Sequence, residues 1–160
     1  MEQQTTQPIA ENLWWVIPGK LAGVRKPTAE ELPELHKLGI GAIVSVIDDS
    51  SNLELYEQAN LPHLWLPIKG GTAPSREQVQ QLQDFVNSQN HAVAIHCTNG
   101  RRRTATVLAG YLINAGSSDD EAMEIILTAN PEIDLRESQS SFLQDLAKNQ
   151  TSTQESALST

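Results

Sequence analysis

Residues 92–104 read AVAIHCTNGRRRT, and this stretch decides the fold of the chain. Its first residues, Ala92 to Ile95, are apolar and typical of a buried strand. The residues from Thr104 to Ala115 follow a helical pattern. Between the strand and the helix lie the only cysteine of the chain, Cys97, and Arg103. A strand that passes through a short loop into a helix indicates an α/β architecture.

Apolar strands and amphipathic helices alternate along the rest of the chain. A hairpin is predicted around Pro18-Gly19, and helices are predicted after the capping residues Thr28, Ser75 and Ser118. The predicted strands are 13–17, 20–23, 42–47, 64–66 and 92–95, and the predicted helices begin near residues 28, 53, 75, 104, 118 and 137. This alternation predicts an α/β fold with a central, mostly parallel sheet flanked by helices.

Both ends of the chain are expected to lack regular structure. Residues 1–11 begin with a Gln/Thr-rich run, which predicts a flexible N-terminus. Residues 149–160 lack apolar periodicity, which predicts a disordered tail. No repeat or linker divides the middle of the chain, so residues 12–148 are predicted to form a single domain.

Composition and charge exclude several classes of protein. The formal net charge of −9 argues against nonspecific binding to nucleic acid or to an anionic membrane. No secretory signal is predicted at the start, and no apolar run is long enough to span a bilayer. A single cysteine excludes an internal disulfide and most structural zinc sites. We therefore expect a cytoplasmic monomer that needs neither a metal nor a cofactor.

The loop after the central strand has the features of a phosphate-binding site. Its backbone N–H groups can converge on one point, and the positive end of the following helix favours a bound oxyanion. Gly100 provides the backbone freedom that a tight curve needs, and the Arg103 guanidinium can bind two phosphate oxygens. The residues expected to bind substrate beside the catalytic Arg103 are Thr98, Asn99, Gly100, Arg101 and Arg102.

The same electrostatic field acts on the thiol of Cys97. N–H donors and a helix N-terminus lower the pKa of a cysteine below its usual value of roughly 8.5, so Cys97 is predicted to be a nucleophilic thiolate. His96 cannot point into the same loop, because side chains alternate along a strand, and we expect it to hold the loop from behind. The Thr104 hydroxyl can donate to the sulfur when sulfur leaves. Together these groups predict phosphoryl transfer through a phosphocysteine intermediate.

The His-Cys-x5-Arg-Thr pattern of residues 96–104 resembles the signature of the cysteine-dependent protein tyrosine phosphatases. The position of Cys97, well past the middle of the chain, is similar to the dual-specificity branch. Residues 12–23, 66–75 and 131–143 resemble the opening, the general-acid loop and the closing segment of small atypical dual-specificity phosphatases. The resemblance implies the fold of that family and hydrolysis of phosphate monoesters.

One position departs from the family pattern. Relatives commonly carry an aspartic acid shortly before a Pro-Ser pair, and this acid protonates the leaving oxygen. The present chain carries Gly70 at that place, and its neighbour Lys69 is not a suitable acid. Loss of a general acid costs about 10²–10⁴ in rate, and we expect the loss to be greatest for alkyl phosphates, whose leaving groups need the proton most.

Gly70 leaves three interpretations open: a slow enzyme that favours good leaving groups, an enzyme with a substitute carboxylate, or a protein that only binds phosphorylated partners. The candidate substitutes are Asp48 and Asp49, which follow a predicted central strand, and Glu137 in the closing segment. The alternative for Asp48 and Asp49 is a polar turn that ends the strand. The alternative for Glu137 is an acid that interacts with a helix dipole.

Arg101 and Arg102 are a second departure. Relatives often have a small residue at position 102, and some phosphoinositide phosphatases carry lysine at position 101. Both side chains are expected at the rim, with Arg102 pointing outward, where they either favour polyanionic substrates or remain solvated charges. The expected partner is a phosphorylated protein or a small phosphate ester. A tyrosine or dual-specificity phosphatase is the leading interpretation, and a pseudophosphatase and a phosphoinositide phosphatase are the alternatives.

Overall fold

The computed structural model describes residues 8–158, with side chains described through Asn149. It confirms the α/β class, because a five-stranded sheet carries helices on both faces. No helix among these residues combines the length and the apolar character needed to cross a bilayer. The strands are β1 (Trp14–Ile17), β2 (Leu21–Val24), β3 (Ile40–Ser45), β4 (His63–Trp65) and β5 (Ala92–His96). The helices are α1 (Ile9–Asn12), α2 (Leu32–Lys37, preceded by a 3₁₀ turn at Ala29–Glu31), α3 (Leu53–Gln58), α4 (Arg76–Ser88), α5 (Arg102–Asn114), α6 (Asp119–Ala129) and α7 (Glu137–Leu158).

The strand order is β1-β2-β5-β3-β4, and every neighbouring pair is parallel except the β1–β2 hairpin. This pairing confirms the hairpin predicted around Pro18-Gly19. β5 is central, and its His96 pairs in register with Val24 of β2 and Ser45 of β3. Every residue of β5 is buried, as expected for a parallel strand that is covered on both faces. The carboxyl ends of β2, β3 and β5 therefore meet at one edge of the sheet.

Alternating side chains of β5 face two separate layers of the core. Val93 and Ile95 pack with residues of α4, α5, α6 and α7, whereas Ala92 and Ala94 pack with residues of α1, α2 and α3. α5 is the most buried helix of the first layer, since every residue from Thr104 to Ile113 is buried. This burial fixes the start of α5 relative to the end of β5.

The predicted helix caps are present. The Ser118 hydroxyl accepts from the N–H of Glu121, whose carboxylate accepts from the N–H of Ser118, and Ser75 caps α4 in the same way. Thr28 also forms a capping box, but the turn that follows it is 3₁₀. Pro33 explains this difference, because it has no N–H to donate to the carbonyl four residues earlier.

Helical structure extends beyond the predicted domain at both ends. Ile9 begins α1 and is fully buried, so regular structure begins within the stretch 1–11 that the sequence predicts to be flexible, and residues 1–7 lie outside the described part. At the other end α7 continues to Leu158, whereas the sequence predicts a disordered tail from residue 149. Neither Gly nor Pro occurs between Glu137 and Leu158, so no residue of this segment breaks the helix.

Candidate active site

Residues 97–101 connect β5 to α5 at the carboxyl edge of the sheet. Gly100 has a positive φ of 70°. A Cβ at this position would lie 2.5 Å from the carbonyl carbon and oxygen of Val24, so only glycine fits between the loop and the end of β2. The loop therefore curves tightly against the sheet, and its geometry depends on this residue.

Hydrogen bonds from the β1–β2 side hold the loop. The indole Nε1 of Trp14 donates to the carbonyl oxygen of Gly100 over 3.1 Å. The backbone N–H of Lys26 donates to the carbonyl oxygen of Thr98 over 3.2 Å. Gly23 makes room for the indole, because a Cβ there would lie 2.5 Å from the ring. The sequence predicts only packing for Trp14. Its hydrogen bond to the loop depends on the strand register that pairs Trp14 with Gly23, and this register is known only from the structure.

Cys97 lies at the bottom of the loop, with 4% of its surface exposed. Burial by itself raises the pKa of the thiol. Hydrogen bonds from the hydroxyl and the N–H of Thr104 and from the N–H groups of Arg101 and Gly100 outweigh that effect, so the pKa of Cys97 is lower than usual. The buried Thr104 hydroxyl makes no other hydrogen bond within the described residues, so its proton is available to the sulfur.

The side chain of His96 lies on the other face of the sheet from Cys97, in the layer that contains Tyr56. Its Nε2 lies 2.7 Å from the Tyr56 hydroxyl, and its Nδ1 lies 3.2 Å from the carbonyl oxygen of Cys97. The Asn52 amide donates to the Tyr56 oxygen over 3.0 Å, so the Tyr56 proton goes to Nε2 and Nδ1–H donates to the carbonyl. Desolvation lowers the pKa of His96 to about 4 and raises that of Tyr56 to about 12, which keeps both groups neutral at neutral pH.

Arg103, the second residue of α5, extends its guanidinium back over the loop. The side chain is largely buried, with 14% exposed. Nη1 donates to the Ile68 carbonyl over 2.9 Å and to the Asp48 carboxylate over 3.5 Å, and Nη2 donates to the Thr98 hydroxyl over 3.4 Å. These contacts place the guanidinium where it can bind phosphate oxygens held by the loop.

A cavity of about 410 Å³ opens above Cys97. The loop 97–101 forms one wall, and the segment between α6 and α7 forms another. The lining residues are Gly70, Gly71, Cys97, Thr98, Asn99, Arg101, Arg102, Arg103, Glu132, Asp134 and Arg136. Every residue predicted to bind substrate lines this cavity except Gly100, whose backbone packs against β2.

Arg101 and Arg102 have different surroundings. The exposed Arg101 forms an ion pair with Glu132 over 3.2 Å. Arg102 does not point outward as predicted, because its Nε donates to the carbonyl oxygen of Asp134 over 2.8 Å and its side chain lines the cavity. Both arginines therefore hold the segment 131–136 against the start of α5, a contact that the sequence does not reveal.

The segment 69–72 presents no carboxylate to the cavity. Gly70 faces open space, since a Cβ there would meet nothing within 4 Å. Two hydrogen bonds tie the segment to α7: the Ser138 hydroxyl donates to the Gly71 carbonyl over 2.8 Å, and the buried Gln139 amide donates to the Thr72 carbonyl over 3.2 Å. The place at which the family carries its acid therefore holds no proton donor.

The three carboxylates selected from the sequence do not line the cavity. Asp48 contacts the guanidinium of Arg103. Asp49 accepts hydrogen bonds from the hydroxyl and N–H of Ser51, which lower its pKa and oppose protonation. Glu137 is exposed at the start of α7. Asp48 is thus the one of the three that contacts a residue of the phosphate-binding site.

Two carboxylates not selected from the sequence, Glu132 and Asp134, do line the cavity. Glu132 is engaged by Arg101. The Asp134 carboxylate forms neither an ion pair nor a hydrogen bond with the described residues, although its backbone carbonyl accepts from Arg102. Both acids lie between two helices, and the sequence signals there, Asn130-Pro131, indicate only where α6 ends.

A buried cysteine in the loop between the central strand and a helix is typical of one class of protein. The chain belongs to the cysteine-dependent protein tyrosine phosphatase superfamily. The family model Tc-R-P, described as a DSP-PTPase phosphatase of polymorphic toxin systems, matches residues 19–117. The chain is therefore a member of this DSP-PTPase family, and the resemblance stated from its motifs is confirmed.

Curated relatives and solved structures agree with this assignment. The phosphatidylglycerophosphate phosphatase PTPMT2 of Arabidopsis thaliana is 27% identical over 152 residues, which cover 89% of this chain and 67% of the relative. The tyrosine-protein phosphatase yvh1 of Schizosaccharomyces pombe is 31% identical over 98 residues, 59% of this chain and 29% of the relative. The structure of Tk-PTP in its active form superposes with a TM-score of 0.77 at 26% identity, covering 86% of this chain and 97% of Tk-PTP.

Proposed function

We propose that the protein hydrolyses phosphate monoesters through a phosphocysteine intermediate. Phosphotyrosine is the preferred group on a protein substrate, and phosphoserine and phosphothreonine are hydrolysed more slowly. The observation that carries this proposal is the buried Cys97 thiol, whose pKa is lowered by hydrogen-bond donors of its own loop and of Thr104. Arg103 lines the same cavity. Membership of the DSP-PTPase family supports the proposal.

In the first step the Cys97 thiolate attacks phosphorus, the bond from phosphorus to the leaving oxygen breaks, and that oxygen departs with the electron pair. The Arg103 guanidinium and the N–H groups of the loop bind the nonbridging oxygens and stabilise the charge of the transition state. An aryl oxygen leaves without a proton more readily than an alkyl oxygen does. Because position 70 is glycine, this difference favours phosphotyrosine.

In the second step water attacks phosphorus, its proton passes to a solvent water molecule, and the sulfur–phosphorus bond breaks. Inorganic phosphate is released, and the sulfur departs as a thiolate. The hydrogen bond from the Thr104 hydroxyl stabilises this leaving group. His96 acts as a positioning residue, since its Nδ1–H holds the Cys97 carbonyl on the far side of the sheet.

Hydrolysis of p-nitrophenyl phosphate, compared with a Cys97→Ser variant, tests the proposal. We expect nitrophenol release with the native cysteine and only background release with serine. Equal rates for the two proteins would overturn the proposal. Acid quenching during turnover is expected to trap one covalent phosphate on Cys97, which mass spectrometry of the digested protein locates.

Phosphorylated lipid headgroups and inositol phosphates are a second candidate class of substrate. The observation that favours them is the presence of four arginines in one cavity, Arg101, Arg102, Arg103 and Arg136. PTPMT2 is a phosphatidylglycerophosphate phosphatase, and a structure of PTPMT1 is in complex with PI(5)P, which supports this candidate. Phosphate release from a panel of phosphotyrosine peptides, inositol phosphates and lipid vesicles distinguishes the two classes.

A phosphate-binding protein without turnover is a third candidate, favoured by Gly70. It predicts that phosphopeptides bind while hydrolysis stays at the level of Cys97→Ser. Isothermal titration with a phosphopeptide, followed by an assay for released phosphate in the same sample, tests this candidate. Multiple turnovers per protein molecule would exclude it.

A further inference from the structure

The cavity extends beyond the phosphate-binding loop to an arginine that the catalytic steps do not use. Arg136 lies in the segment between α6 and α7 and lines the same cavity as Cys97. Its Cδ and Nε lie 3.6 Å from the position that a Cβ on Gly71 would occupy. The stem of Arg136 therefore packs against Gly71, the neighbour of the glycine that stands at the position of the family's acid.

The backbone of Arg136 is fixed although its side chain is exposed. The N–H of Arg136 donates to the Gln139 side chain over 2.9 Å, and Gln139 is itself completely buried. The Gln139 amide and the Ser138 hydroxyl donate in turn to the carbonyls of Thr72 and Gly71. The backbone of Arg136 is thus held next to the segment 69–72.

The four arginines of the cavity differ in what already neutralises them. Arg103 contacts Asp48, and Arg101 is paired with Glu132. Among the described residues, the Arg102 guanidinium hydrogen-bonds only to a backbone carbonyl of the segment, through its Nε. The Arg136 guanidinium has no hydrogen bond or ion pair with any residue described in the structure. Two guanidinium groups therefore face the cavity without a carboxylate partner.

Arg136 lies beside the segment 69–72, where relatives carry the acid that protonates the leaving oxygen, and Arg102 lines the same cavity. An arginine fork binds phosphate oxygens in a bidentate manner, and a partly enclosed cavity strengthens that interaction relative to bulk water. We propose that Arg136, together with Arg102, forms a second anion-binding subsite. It takes a phosphate or phosphodiester group carried by the leaving alcohol, so among small phosphate esters the preferred substrates bear two anionic groups on one scaffold. This inference rests on the proposed phosphatase function.

A matched pair of aryl phosphates tests the subsite without depending on an alkyl leaving group. The first substrate is phenyl phosphate, and the second is phenyl phosphate with a methylphosphonate group in the para position. We expect kcat/KM of the second to exceed that of the first about tenfold, which corresponds to about 1.4 kcal/mol, mainly through a lower KM. In Arg136→Ala this ratio is expected to fall to about one, and Arg136→Lys is expected to retain part of it.

The control is Arg76→Ala, because Arg76 is an exposed arginine at the start of α4 that does not line the cavity. Its activity on both substrates and its ratio are expected to match those of the native protein. A second pair of substrates distinguishes the source of the anion: a soluble glycerol bisphosphate, and phosphatidylcholine vesicles that contain a lipid with a phosphomonoester beyond its phosphodiester. If Arg136→Ala lowers phosphate release from the vesicles but not from the glycerol bisphosphate, the subsite is assigned to lipid headgroups.

The inference is overturned if Arg136→Ala leaves the substrate preference unchanged both in solution and on vesicles. Absence of turnover by the native protein would instead overturn the proposed function, and the subsite is then measured by binding. For that purpose Cys97→Ser and the double variant Cys97→Ser, Arg136→Ala are titrated with both aryl phosphates. Tighter binding of the double anion that depends on Arg136 supports the subsite, and equal affinities reject it.

Discussion

The loop 97–103 and the loop 69–75 face the same cavity but are stabilised in different ways. The first is held by Trp14, by Lys26 and by the chain of hydrogen bonds through His96, all of which act on its carbonyl groups. The second is exposed at Gly70 and is tied to α7 through Gly71 and Thr72. In the proposed mechanism, phosphate capture therefore relies on a loop fixed by side chains and backbone groups of other elements, whereas proton delivery has no fixed group.

This difference separates two kinds of rate effect. Changes in the loop 97–103 alter how the phosphate and the thiolate are held, which is common to every substrate. Changes in the loop 69–75 or the segment 131–136 alter the environment of the leaving oxygen, which differs between aryl and alkyl phosphates. The ratio of aryl to alkyl kcat/KM therefore reports which side of the cavity a substitution affects.

Arg103→Lys is expected to have the largest effect. Lysine keeps the charge but loses the fork that binds two phosphate oxygens, so kcat/KM should fall about 10²–10³-fold on p-nitrophenyl phosphate and on an alkyl phosphate alike. Steady-state kinetics on both substrates measure this, with Arg76→Lys as the control. A loss confined to one substrate would contradict the assignment of Arg103 to phosphate binding.

Gly70→Asp is expected to raise the rate of hydrolysis, and to do so mainly for alkyl phosphates. A side chain fits there, because a Cβ at position 70 meets nothing within 4 Å and the backbone does not have a positive φ. Supplying the absent acid should raise alkyl phosphate turnover by up to about 10²-fold and change aryl turnover much less. Gly70→Asn is the matched control, since it has the same shape without the proton. An unchanged alkyl rate would show that the acid comes from another residue.

The pH dependence of stability tests the buried support of the loop 97–103. Unfolded His96 takes up a proton near the usual pKa of about 6.5, but the folded chain does so only at about 4. The unfolded state therefore binds more protons between these values, and up to about 3 kcal/mol of stability is lost as the pH falls through this window. Urea unfolding at several pH values measures it, and His96→Gln should flatten this part of the curve. If the stability of the native protein and that of His96→Gln change with pH in the same way, the loss of stability does not come from His96.

The loop 97–103 was predictable because its parts are contiguous. Cys97, Gly100, Arg103 and Thr104 lie close together in the sequence, in the loop after β5 and in the first turn of α5, so local patterns define both the site and its flanking elements. The residues that the sequence did not reveal come from other elements. Trp14 lies 86 positions from the carbonyl to which it donates, and only folding joins them.

The same reason explains the carboxylates. Asp48 and Asp49 were selected because a parallel strand ends there, and Asp48 does contact Arg103. Asp134 lies in the irregular segment between α6 and α7, and a hydrogen bond from Arg102 of α5 to its backbone carbonyl holds it at the cavity. No periodicity marks such a residue, so only the packing of the segment 131–136 against α5 identifies it.

Asp134→Asn tests whether this free carboxylate assists the leaving oxygen. If it does, alkyl phosphate turnover should fall about tenfold more than aryl turnover, a modest part of what a well-placed general acid contributes. Asp48→Asn is the comparison, because Asp48 contacts Arg103 and should affect both substrates equally. Equal losses for Asp134→Asn on the two substrates would place Asp134 outside proton transfer.

Trp14→Phe is expected to have the smallest effect, and it tests the supported loop without touching the phosphate. The change removes the Nε1 donor and leaves the Gly100 carbonyl without that partner, which should cost about 1–3 kcal/mol of stability. Trp65→Phe removes a comparable bond, from its Nε1 to the Ile47 carbonyl, but outside the loop. Because Trp14 acts on the phosphate-binding loop, its loss should lower aryl and alkyl turnover by the same small factor. A changed ratio would show that the two sides of the cavity are coupled, and the division drawn between them would then fail.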